Sequence, residues 1–254
     1  MNLLRHGIAP KMKPLSPRRS AIASALDIGT SKIACLIARL KPAPAQDVLP
    51  RRTHSIEVLG IGHTRAAGIK NGVVANIAEA ETAIRNAVAA AERMAGVELE
   101  SVVVSAGRPS SELFSATVHA AGPTVTDSDI ERVLSAGSRH SLRERRAVLH
   151  SLPIGYALDD TRGVRDPRGM LGQRLGVDMH VVTVDTAVVR NLMLCIERCH
   201  LSIEAMVSTS YVAGLSVLSD DEADLGSAVV DMGAGTTTLS VFSGGHFVHA
   251  DGFA

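Results

Sequence analysis

Apolar residues along this chain come in short runs broken by glycine, and the runs predict alternating strands and helices. "AIASALDI" and "KIACLIARL" read as two strands separated by "GTS"; a loop containing proline and arginine (residues 41–53) leads to a third, "SIEVLGIGHT". After "AAGIKNGVVAN" the period changes. In "IAEAETAIRNAVAAAERMAGV" the residues Ala80, Ile84, Val88 and Ala91 recur at helical spacing, and Gly96 is placed to end the helix. The opening is therefore a three-stranded meander followed by a helix.

The middle has another rhythm. "ESVVVSAG" reads as a strand, and "TVTDSDIERVLSAGSRH" as a helix with Thr126 or Asp127 at its N-cap and acids in its first turn. "AVLHSLPIGYALD" and "GVDMHVVTVD" read as two more strands, joined by a loop rich in glycine, proline and arginine. Strand, helix, strand, strand is unlike the first unit, so residues 99–185 are expected to form an inserted module. A helix ("TAVVRNLMLCIERC"), a strand ("SIEAMVS") and a helix ("SYVAGLSVL") follow, then an acidic loop, "SDDEADLG". Beyond it, "SAVVDMGAGTTTLSVFSGGHFVHADG" repeats the opening meander. The expected division is a basic tail over 1–20, a first unit over 21–98 and 186–222, the module over 99–185, and the start of a second unit over 223–254.

Composition narrows the chemistry. Hydrophobic residues make up 46% of the chain but aromatic residues only 2%, with no Trp, so the core must be aliphatic. Lys+Arg and Asp+Glu balance at 26 each, and no basic patch is interleaved with aromatics, which argues against nucleic acid. The three cysteines, Cys35, Cys195 and Cys199, are too few and too odd for a secreted disulfide framework. Cys195 and Cys199 lie four apart on one helical face, and the set reads as buried core rather than as a metal site. The first twenty residues hold Arg5, Lys11, Lys13, Arg18 and Arg19, three prolines and no acid, the composition of a disordered tail. No apolar run is long enough to span a bilayer, and the chain reads as cytosolic.

The chemistry lies in the repeat. "ALDIGTSK" and "VVDMGAGTT" each end a strand in aspartate and turn through glycine and small hydroxyl residues into a second strand. Such a turn exposes backbone N–H groups that can hold phosphate oxygens. Lys32 adds a point charge suited to a β- or γ-phosphate. Asp27 and Asp231 cannot face phosphate directly, but each can hold Mg2+ through water or orient an attacking water. Two such hairpins across one cleft would clamp a triphosphate.

The two hairpins resemble the phosphate motifs of the actin, heat-shock chaperone and sugar kinase superfamily. Within it, "GIKNGVVANIAEAE", "RDPRGMLGQRLGVDMHVVT", "NLMLCIERCHLSIEAMVSTSYV" and "DEADLGSAVVDMGAGTT" resemble the FtsA family of bacterial cell-division proteins. The resemblance covers residues 22–254 and implies an α/β, actin-like (ribonuclease H-like) fold with the inserted strand-helix-strand-strand module. It also implies a non-enzymatic, ATP-binding scaffold, with weak hydrolysis possible. Such a scaffold would help assemble the Z ring and anchor FtsZ to the cytoplasmic face of the inner membrane at the division site. Asp27, Gly29, Thr30, Ser31 and Lys32 would form the first phosphate loop. Asp231, Gly233, Gly235, Thr236 and Thr237 would form the second. ATP and Mg2+ are the implied cofactors. The implied partners are FtsZ, further copies of the chain in an actin-like polymer, later division proteins, and the membrane surface through a C-terminal helix.

Two residues depart from the family pattern. Ala234 replaces a common glycine, and Thr238 stands where relatives often carry an acid, which counts against efficient hydrolysis. The chain also ends before the family's adenine-binding motif, FtsZ-binding subdomain and C-terminal membrane helix. It is therefore expected to be truncated, to bind ATP weakly or not at all, and to be poorly soluble alone. The alternatives are a pilus-assembly actin homologue, whose module is similar, and a small-molecule kinase of the same superfamily.

Overall fold

The computed structural model describes residues 15–44, 46, 52–138 and 145–254, so most of the expected basic tail lies outside the described residues. The first unit is a five-stranded sheet. β1 (Ala21–Ile28), β2 (Lys32–Pro42) and β3 (His54–Arg65) form the expected antiparallel meander. β6 (Ser101–Ala106) runs parallel to β1 on its other side, and β11 (Ser202–Ser208) runs parallel to β6. The spatial order is β11-β6-β1-β2-β3.

Two helices cover one face of this sheet. α1 (Ile77–Ala95) begins where the Asn76 side chain accepts the N–H groups of Ala78 and Glu79, and it ends at Gly96 with φ 67°. Its apolar stripe and that of α3 (Thr186–Arg198) share a core with Leu26, Ile33, Ile37, Val102 and Val104. Contact with β3 is unusually close. A Cβ added at Gly60 would lie 2.2 Å from the carbonyl oxygen of Ala91, and one at Gly62 would lie 2.0 Å from that of Ala87. Only bare backbone lets the helix sit there. Cys35 and Cys195 are buried in the same core and Cys199 is half-buried, as the core reading expects.

The inserted module is a sheet of β7 (Ser110–His119), β10 (Arg174–Asp185), β8 (Arg146–Leu158) and β9 (Thr161–Val164), in that spatial order. Helix α2 (Asp127–Gly137) packs on β7 and β10 around a core of its own that includes Ile130, Val133, Leu175, Val177 and Met179. Of the two N-cap candidates, Thr126 takes the position, and its hydroxyl and Asp129 form a reciprocal capping box.

The expected module boundary needs correction. Ser101–Ala106, read as the module's first strand, lies inside the five-stranded sheet between β1 and β11. Its run of valines is buried on one face and half-covered on the other, as a strand paired in parallel on both edges requires. β7 supplies the module's first strand instead, and the short β9 adds a strand between β8 and β10 in sequence, so the chain order is strand-helix-strand-strand-strand.

The last segment passes through α4 (Thr209–Val217) and α5 (Asp220–Leu225) into a second meander, β12 (Ser227–Met232), β13 (Thr237–Ser243) and β14 (His246–Phe253). The acidic stretch expected as a loop is helical in α5, capped by Ser219 and Glu222 in a second capping box. The meander extends the module's sheet through a single residue pair, Asp251 with Ser110. Tyr211 of α4 stacks on Phe247 and Phe242, giving this segment an aromatic core. Gly214 of α4 lets the helix close on Phe242, since a Cβ there would lie 2.2 Å from the ring.

Candidate functional site

The two Asp-Gly hairpins are built alike. In the first, Asp27 pairs with Ala34 across the strands, and the Gly29 N–H donates to the Lys32 carbonyl at 3.0 Å. In the second, Asp231 pairs with Thr238, and the Gly233 N–H donates to the Thr236 carbonyl at 2.8 Å. A Cβ at either glycine would crowd that same carbonyl, at 2.9 and 3.0 Å. In both turns the next two amides, of Thr30 and Ser31 and of Ala234 and Gly235, make no hydrogen bond among the described residues. These are the donors such a turn can offer an anion.

Both turns face one cavity of about 420 Å³. It is lined by Asp27, Gly29, Thr30, Ser31 and Lys32 from one side and by Asp231, Gly233, Ala234 and Thr236 from the other. Two of the residues proposed from sequence stand apart from this lining. Gly235 instead presses its backbone on Thr30, where a Cβ would lie 2.7 Å from the threonine methyl. Thr237 is the first residue of β13, paired with Met232.

The cavity has walls that sequence reading did not supply. Ser105 at the end of β6 donates its hydroxyl to Asp27 Oδ1 at 2.5 Å, and Ser105, Ala106 and Gly107 line the floor. Valines and a leucine of α3 (Val188, Val189, Leu192) and Thr209 close other sides. The third wall is a small hairpin of β4 (Ile69–Lys70) and β5 (Val73–Val74), whose turn residues Asn71 and Gly72 have φ 50° and 72°. That "NG" dipeptide between apolar residues was its visible signal, because both positions need a left-handed backbone.

The donor set fits a polyphosphate: paired cradles of unengaged amides, one lysine, and two carboxylates placed outside the turns. Among the described residues no cluster of three or more His, Cys, Asp or Glu could enclose a metal directly. What the cleft can offer a divalent cation is Asp27 and Asp231 acting through water.

The comparisons with known proteins agree with this architecture. Residues 106–183 match the SHS2 domain inserted in FtsA. The chain is homologous to the FtsA cell-division proteins. It is 52% identical to FtsA of Agrobacterium fabrum over 244 residues, 95% of this chain and 55% of the relative. It is 37% identical to FtsA of Pseudomonas aeruginosa over 88% of this chain and 52% of that one. The chain thus spans about half the length of the FtsA proteins it matches. Among solved structures, a chain of the PilM-PilN type IV pilus biogenesis complex aligns over 91% of this chain and 61% of its own, at a TM-score of 0.57 and 16% identity. That likeness concerns the fold, which is actin-like. The matched SHS2 segment begins at residue 106, where β6 ends, in line with the corrected boundary.

Proposed function

We propose that this chain is the phosphate-binding part of an ATP-dependent scaffold for cell division, which assembles with FtsZ at the cytoplasmic face of the inner membrane. The observation that carries the reading is the convergence of two identically closed Asp-Gly hairpins on one cavity. Their amides and Lys32 would cradle the phosphates, and Asp27 and Asp231 would hold a hydrated Mg2+, which would neutralise phosphate charge. The homology to FtsA supports the cell-division role, the contact with FtsZ and association between copies. Among the described residues no helix is long and apolar enough to cross a membrane, so membrane contact is proposed as peripheral.

A scaffold fits better than a kinase. Thr238, placed opposite Asp231, is buried, does not line the cavity, and its hydroxyl has no partner among the described residues. That position supplies no base to activate a nucleophile, so hydrolysis is proposed to be slow.

Calorimetry with Mg-ATP tests the reading. Binding in the millimolar range that requires Mg2+ and disappears in the Asp27→Ala, Asp231→Ala double variant is expected. Millimolar affinity corresponds to about 4 kcal/mol, a reasonable yield from phosphate contacts alone. No binding at saturating nucleotide would overturn the site. In cells, a fluorescent fusion of the full-length protein should gather at the division plane, and a diffuse signal in dividing cells would count against the role.

A further inference from the structure

Three turns, not two, meet beside the cavity. The Gly72 N–H donates to Thr30 Oγ1 at 3.2 Å. A Cβ on Gly72 would lie 2.8 Å from the Thr236 methyl, and a Cβ on Gly235 would lie 2.7 Å from that of Thr30. Each of the three contacts sets a glycine backbone against a threonine side chain: Gly72 on Thr30, Gly72 on Thr236, and Gly235 on Thr30.

The third turn is held in a particular way. At its base, the N–H groups of Ala75 and Asn76 both donate to the Gly68 carbonyl, at 2.7 and 3.0 Å, and Gly68 lies flat against the start of α1. At its tip, the hydrogen bond that ties Asn71 and Gly72 to another turn among the described residues is the one from the Gly72 N–H to Thr30 Oγ1, beside the packing of Gly72 on Thr236. Gly72, Val73 and Val74 all face the cavity. The base is fixed and the tip holds one exchangeable hydrogen bond to a hydroxyl, which is a weaker acceptor than a phosphate oxygen.

We infer that the Ile69–Val74 hairpin is a third phosphate-binding turn, in which the Gly72 amide leaves Thr30 Oγ1 for the terminal phosphate of a nucleoside triphosphate. This rests on the nucleotide reading of the cleft and adds selectivity to it. A diphosphate fills the two Asp-Gly cradles and leaves Gly72 on Thr30. A triphosphate reaches the tip. The Thr30 hydroxyl, relieved of Gly72, is then free to turn toward the same phosphate. Only glycine serves at position 72, because its φ of 72° strains any other residue and its neighbour Thr236 leaves no room for a side chain.

Hydrogen exchange on the whole chain tests this, comparing saturating Mg2+ with ADP and with a non-hydrolysable ATP analogue. Exchange in residues 68–76 should slow at least about tenfold with the triphosphate and stay unchanged with ADP, while residues 27–33 and 231–237 slow with both. Equal protection of 68–76 by both nucleotides, or none by either while the other two turns are protected, overturns the third turn but leaves the nucleotide site standing. No protection at any turn overturns both. A second measurement uses Gly72→Ala, its folding checked by circular dichroism. The variant should lose about tenfold of its preference for the triphosphate analogue over ADP. Unchanged preference for the triphosphate overturns the inference.

Discussion

His180 of β10 and the carbonyl of Phe247 in β14 share a hydrogen bond of 2.7 Å, which fixes the imidazole proton on Nδ1 because a carbonyl can only accept. Nε2 must then accept, and it does so from the Ser111 hydroxyl at 2.7 Å. The Ser111 oxygen in turn accepts the Ala250 N–H. The relay joins the module to the second meander through a neutral, fully buried histidine. Burial holds its pKa below the usual value, the nearby His249 adds to the effect, and the bond to Phe247 opposes it.

A depressed histidine pKa means the unfolded chain takes up the proton first, so stability is complete above about pH 6.5 and falls as pH drops toward the folded value. Thermal melts of the native chain should decline between pH 7 and pH 5 more steeply than those of His180→Gln. Parallel decline in the two would show that the relay does not titrate with folding.

Gly235→Ala should force the two Asp-Gly hairpins apart, since its methyl would meet Thr30. The expected result is at least about tenfold weaker Mg-ATP binding with the melting temperature little changed. Equal affinity would mean that the tips separate freely.

Gly62→Ala acts on stability instead. The added carbon would collide with the backbone of α1 at Ala87, where no side chain can give way. Overpacking of this kind costs about 1–3 kcal/mol, and a backbone clash belongs at the upper end. Denaturant titration should show it as a lower midpoint, whereas Gly96→Ala, whose added carbon meets open space but a strained φ, should cost about 1 kcal/mol.

The thiols should be silent in the folded protein. Burial pushes Cys35 up to about 11, with Glu92 adding to the effect, and burial raises Cys195 and Cys199 as well. A thiol reagent at pH 8 should label none of the three until denaturant is added. Rapid labelling of Cys35 in the native chain would show that the first core opens readily.

The parts of this fold legible in sequence were those whose physics is local. Asp27-Ile28-Gly29 and Asp231-Met232-Gly233 announce a turn by residue type, and Asn76 to Gly96 spans a helix with its own cap and stop. What escaped depended on distant partners. "SVVVSA" is an apolar run that any sheet can use, and only its pairing with β1 and β11 assigns it to the first unit. β7, with Phe114, Ala116 and Val118 facing in and the apolar Leu113 exposed on the other face, carries too faint an alternation to stand out. Ser105 looked ordinary because its importance comes from Asp27, and Gly72, visible as a turn residue, gave no sign of the two distant threonines it meets.

The one-pair junction between β7 and β14 has a mechanical meaning. The seven-stranded sheet is drawn as one surface, yet along its length every other neighbouring pair is stitched by several ladder steps, and here there is a single stitch, Asp251 to Ser110. The backbone stitch is narrow, but side chains tie the two parts as well: the histidine relay, and a shared core in which Val182 of β10 and Leu152 of β8 pack with Phe242, Phe247 and Ala250. A pull applied to the second meander would be resisted by that packing more than by backbone hydrogen bonds. Motion of one unit against the module would therefore have to open that shared core.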